Sequence, residues 1–115
     1  MINELKLEKN IQITGLLPRA DVLQLMAKSK MLLHTSSFES YGYVFAEAWV
    51  NGMQVVSTPV GIADSTNAHT GYTAGELADK LLAVLSGTAA KPVLVVPTMA
   101  DTVKQYIDLY NRMGN

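Results

Sequence analysis

Cysteine is missing from the 115-residue chain, which excludes a disulfide framework and thiolate chemistry and fits a cytoplasmic location. A basic excess is missing too. With a formal net charge of −1, the chain lacks the electrostatic footprint of a nucleic-acid binder. The histidines, His34 and His69, stand far apart and without a neighbouring ligand set, so no metal site is expected. No apolar run approaches the ~20 residues that span a bilayer, and the opening "MINELKLEKN" is not a signal peptide. There is no internal repeat and no low-complexity tract.

What is present describes a globular chain: 49% of residues are hydrophobic and 17% charged, which argues against disorder. The length suits one core, and a chain of this size buries roughly two thirds of its unfolded surface. "IQIT", residues 11–14, alternates apolar and polar and reads as a strand, with Gly15 and "LLPR" following it. "ADVLQLMAKS" has Val22, Leu25, Met26 and Ser29 at helical spacing. "MLLH" is too short for a helix and reads as a buried strand. "YVFAEAWVNG" reads as a helix stopped at Gly52, and "MQVVST" as a strand ended by Pro59 and Gly61. Residues 61–73 read as irregular chain. "GELADKLLAVLSG" places Leu77, Leu81, Val84 and Leu85 on one helical face. The last helix carries a stripe of Met99, Val103, Tyr106, Ile107, Tyr110 and Met113. "KPVLVVP" between the last two helices reads either as a strand or as an extended edge or linker.

Strand, helix, strand, helix, strand predicts an α/β fold, a parallel sheet flanked by helices. Right-handed crossovers bring the strand C-terminal ends to one rim, where ligands bind in open sheets. "GLLPR", "HTSSFES" and "TPVGIADS" all follow predicted strands and so share that rim.

Two carboxylates, Glu39 and Glu47, flank an aromatic loop containing Gly42. On a helix of 100° per residue, Glu47 lies roughly 150° from the face of Phe45, Ala48 and Trp49, which by itself suits a solvated carboxylate. Glu39 alone suits a carboxylate near a helix N-terminus. Together they allow more. "SYGY" offers backbone N–H groups at a helix start, and Gly42 lets a ligand approach the main chain. Carboxylates repel phosphates but accept hydrogen bonds from hydroxyls. The pattern therefore reads as phosphate in the middle with a polyol on either side, the layout of a nucleoside diphosphate sugar.

The stretch from "NIQITGLLPR" to "TPVGIAD" resembles the C-terminal, donor-binding domain of family-4 retaining glycosyltransferases of the GT-B fold. The hallmark is two glutamates separated by seven residues around a glycine, here Glu39, Gly42 and Glu47. The segment from Gly52 to Thr58 and "QYIDLY" in the last helix add to it. The resemblance implies a partial Rossmann-like domain over residues 1–115. In it Glu39 would contact donor-sugar hydroxyls at the reacting end. Tyr41, Gly42, Tyr43 and Val44 would give backbone N–H groups to sugar and diphosphate, and Glu47 would take the ribose hydroxyls. Gly15 and Leu16 would lie beside the base. No metal or other cofactor is implied, since the donor is itself the substrate. The implied setting is polysaccharide biosynthesis in the cytoplasm, with a longer parent open to peripheral membrane association.

The departures from the family pattern are specific. Val60 precedes Gly61 where a glycine pair is usual, and Asp64 stands where glutamate is common. His34 occupies a strand end that more often holds proline or a small residue, and is read as structural. His69 is read as a plain loop residue. The family's Arg and Lys for the diphosphate are not found here. The chain is therefore expected to begin inside the helix before the next strand, as the last part of a donor domain inactive alone, with the acceptor held by an N-terminal domain. Two further readings stand beside it. One is a sugar-nucleotide epimerase of the same fold. The other is a non-enzymatic α/β interaction module, although "IQITG" and "MLLHTSS" lack the clustered aspartates of a phosphoacceptor receiver. An unpaired sheet edge or the last helix is expected to support self-association.

Overall fold

The computed structural model describes residues 1–92, 94 and 98–114. In chain order these form α1 (Arg19–Lys28), β1 (Met31–His34), α2 (Tyr43–Val50), β2 (Gln54–Ser57), β3 (His69–Thr70), α3 (Ala74–Leu85) and α4 (Met99–Met113). The three strands form one parallel sheet in the order β1-β2-β3. Leu32 pairs with Val55 and His34 with Ser57, while Ser57 also pairs with Thr70. The α/β fold with helices flanking a parallel sheet is thus the one expected.

The sheet is built around β2, whose Val55, Val56 and Ser57 are almost wholly buried. Alternation along a strand sends neighbours to opposite faces. Val55 joins the main core with Met26 of α1, Phe45 and Ala48 of α2, and Met53, Ala63 and Ala68. Val56 is absent from that cluster and faces the other way, where α3 packs on β2 and β3. Leu77 is the buried anchor of α3. A reciprocal cap starts this helix: Thr73 Oγ1 accepts from the Glu76 N–H, and the Glu76 carboxylate accepts from the Thr73 and Tyr72 N–H groups. Such a cap satisfies donors that a helix start otherwise leaves unpaired.

Several expectations are corrected. Residues 11–14 form no strand; Ile11 and Ile13 are exposed and no described strand pairs with them. Alternating residues make a strand only where a neighbour offers a ladder. The third strand is instead His69–Thr70, drawn from the stretch read as irregular, and Gly71 N–H donates to Ser57 O at its end. Residues 1–10 form hydrogen-bonded turns rather than a helix. Leu85 of the α3 stripe is exposed. The α4 stripe is present as a helix, yet α4 has no buried residue. Residues 93 and 95–97, where strand and linker were both open, lie outside the described residues.

Candidate functional site

Because β1 and β2 run parallel in register, the loops after His34 and Ser57 leave the sheet at the same rim. They are stitched together there. Thr58 N–H donates to His34 O (3.2 Å), and the Thr58 hydroxyl donates to Ser36 O (2.5 Å). Ile62 N–H donates to Tyr41 O (2.9 Å). Gly61 allows the closest approach. Its φ is +57°, and a Cβ on it would lie 2.3 Å from Tyr41 O and 3.2 Å from Glu39 Cβ. No other residue type fits between these two loops.

Gly42 starts α2 in the left-handed region, with φ +82°. A Cβ there would sit 2.6 Å from two ring carbons of Phe45, the fully buried anchor of α2. Phe45 N–H folds back onto Gly42 O. No side chain caps this helix, and its first turn holds no acidic residue. Helix starts leave backbone N–H groups without intrahelical partners, and here those of Tyr43 and Val44 belong to that turn. The rings of Tyr41 and Tyr43 lie 4.9 Å apart above it, both exposed, while Val44 packs against the core.

Each glutamate has a partner from another element. Glu39 Oε1 lies 3.2 Å from His34 Nε2, and both side chains are mostly buried, at 32% and 18% exposure. The His34 and Phe45 rings form a T-shaped pair at 4.8 Å between centroids, and His34 Nδ1 is buried without a hydrogen-bond partner among the described residues. Glu47 Oε1 lies 2.5 Å from an Arg19 guanidinium nitrogen, with the arginine largely exposed and the carboxylate largely covered. Helical spacing placed Glu47 away from the apolar face. It could not show that a cation at the start of α1 reaches across to cover it. Neither partner was singled out for this role in the sequence, although "GLLPR" contains Arg19 and His34 immediately precedes "TSSFES".

Glu39, Tyr41, Gly42 and Tyr43 are thus brought together with Gly61 and Ile62, and Glu47 follows one turn along α2. Gly15 and Leu16 sit in the loop leading to Arg19. Leu16 is fully exposed, and a Cβ on Gly15 would meet nothing within 4 Å. Asp64 is occupied by its own loop: it accepts from the Thr66 N–H and hydroxyl, which hold its carboxyl below the ordinary range. His69 is a strand residue rather than a loop residue, hydrogen-bonded to Gln54 Oε1 at 2.9 Å. Burial, then the charge of Lys80, lowers its pKa. A cavity of about 530 Å³ lies at the opposite ends of the strands, beside Lys30, Met53 and Gln54, away from the glutamates.

The family model for "Glycosyl transferases group 1" matches residues 1–91, from the first turns through α3 and past every candidate residue. The chain belongs to that family. No curated protein and no solved structure matches it. As a group 1 glycosyltransferase domain it serves glycosyl transfer, a chemistry that requires a sugar donor and an acceptor. Two loops closed on one another at the carboxyl rim of a parallel sheet are where such a fold binds ligands. No described helix of this glycosyltransferase domain is long and apolar enough to cross a membrane.

Proposed function

We propose that the chain is the donor-binding part, C-terminal in its parent, of a family-4 retaining glycosyltransferase that uses a nucleoside diphosphate sugar. The observation that carries this reading is the uncapped start of α2 at Gly42, with a carboxylate on each side and a loop closed over one of them by Gly61. The N–H groups around Tyr41, Gly42, Tyr43 and Val44 take the sugar and diphosphate, since backbone donors at a helix start suit anions. Glu39 takes hydroxyls of the transferred sugar and Glu47 those of the ribose. Gly15 and Leu16 lie beside the base.

Binding ribose through Glu47 requires its carboxylate to share or exchange Arg19. The freed guanidinium is then the one cation that the described residues bring to this site for the diphosphate. One exposed arginine is weak provision for the leaving group of a retaining transfer, which needs strong charge stabilisation. In our reading the acceptor is held by another domain of a cytoplasmic parent acting in polysaccharide biosynthesis, no metal takes part, and the isolated chain does not turn over. Self-association through the exposed α4 stripe belongs to the same reading.

Titration of isotope-labelled protein with UDP, GDP and ADP tests it. Amide shifts confined to Gly15, Tyr41 to Val44 and Glu47, and lost in Glu47→Gln, are the expected result. A dispersed spectrum unmoved by all three nucleotides would remove the donor assignment. Light scattering on the same sample reads self-association, and a monodisperse monomer at high concentration would count against it.

A further inference from the structure

Glu39 and His34 meet with a chemistry more restrictive than their distance alone. An ionised carboxylate only accepts hydrogen bonds. The contact at 3.2 Å therefore requires a proton on His34 Nε2. The other nitrogen, Nδ1, is buried and has no partner. A proton there would be an unpaired buried donor, which costs the full desolvation of that group. Of the two neutral tautomers, the pocket accepts only the one that donates to Glu39.

The ring that makes this contact is itself held. His34 closes β1, where it pairs with Ser57 of β2, and its carbonyl accepts from Thr58 N–H. Its ring packs in a T-shape with Phe45, which is 0% exposed and is the same ring that Gly42 must clear. Glu39, by contrast, sits on a loop. Its Oε1 is engaged by His34, and no described hydrogen bond or ion pair engages the other oxygen, which is left for a ligand.

We propose that His34 is the positioning residue for Glu39: a fixed Nε2–H donor that holds one carboxylate oxygen so that the other presents to a hydroxyl of the donor sugar. This inference rests on the donor assignment of Glu39. It separates the two ends of the ligand, because His34 acts on the sugar end and has no part in gripping the nucleotide.

The test compares binding of UDP and GDP with that of UDP-glucose and GDP-mannose in the unaltered chain, His34→Leu and His34→Gln. Glutamine restores an N–H donor near the Nε2 position, whereas leucine preserves apolar packing and removes the donor. The expected result is that the extra affinity due to the sugar falls about tenfold or more in His34→Leu, the scale of a lost hydrogen bond to a charged group. It stays within about threefold in His34→Gln, and affinity for the bare nucleotide is unchanged in both. An amide spectrum with native dispersion confirms that each variant is folded. Equal loss in both variants, or a leucine variant that keeps the sugar's contribution, would overturn the inference.

Imidazole nitrogen shifts of the unaltered chain give a second readout. Nε2 protonated and Nδ1 bare is the expected pattern, and Glu39→Gln should perturb it. Nucleotide binding with the proton on Nδ1 would sink the role of His34 alone. No binding of any nucleotide or nucleotide sugar would sink the donor assignment, and this inference with it.

Discussion

Arg19 and Glu47 form an ion pair between the first residue of α1 and the middle of α2, with the guanidinium largely in water and the carboxylate largely covered. Such half-exposed pairs contribute at most about 1 kcal/mol. Arg19→Ala should therefore shift the urea midpoint only slightly, by less than about 1 kcal/mol of stability. Its effect on nucleotide affinity should be larger than its effect on folding. A variant that loses several kcal/mol would show the pair to be a structural clamp rather than an exchangeable contact.

Gly61→Ala should be among the most damaging small substitutions in the domain. The left-handed backbone costs roughly 1–2 kcal/mol for a side-chain-bearing residue, and the new Cβ meets main chain, which yields poorly, at Tyr41 O. A loss of more than about 2 kcal/mol in urea unfolding is expected, with amide shifts at Glu39 and Tyr41. Gly42→Ala, meeting the Phe45 ring instead, should also perturb α2. Near-native stability for Gly61→Ala would mean that the two loops are not closed on one another in solution.

Phe45 and Tyr106 set the expected contrast between core and surface. Phe45 is wholly buried and Tyr106 is 60% exposed on α4. Phe45→Ala should cost about 3–5 kcal/mol. Tyr106→Ala should stay within about 0.5 kcal/mol in dilute monomeric protein, as exposed positions usually do. If stability falls comparably in both, α4 is packed on the domain.

Acidification should weaken the fold in two windows. His69 has a pKa lowered below its ordinary 6.5 by burial and Lys80, so the unfolded chain binds that proton first. Stability should decline as pH falls below about 6.5 and level off below the folded value. Glu76 has its pKa lowered below 4.5, chiefly by the Tyr72 and Thr73 N–H groups. Its contribution is complete above about pH 4.5 and is lost as pH drops through the folded value. Thermal melts against pH should lose the upper window in His69→Gln and only part of the lower one in Glu76→Gln, because the carboxyls of Asp64 and Asp101 are also held below their ordinary range. Curves parallel to the unaltered chain would remove these two groups as the cause.

The sequence by itself determined most of the elements. Helical spacing around Val22 and Met26, the apolar runs "MLLH" and "MQVVST", and the stop at Gly52 are local properties, and the helices and two strands they predict are there, although "MLLH" is not the buried strand expected, since Leu33 is half exposed. The glycine loop between Glu39 and Glu47 was legible for the same reason, since its residues are neighbours in the chain. Tertiary structure alone decided the rest. Ile11–Thr14 has strand alternation but no ladder to join among the described residues, while His69–Thr70 has little strand character and becomes one beside Ser57. His34 reaches Glu39, and Arg19 reaches Glu47, only because the sheet and the α1–α2 packing place them side by side. Local periodicity reports which face of an element is apolar, but the partner of a carboxylate depends on which elements the fold sets against it.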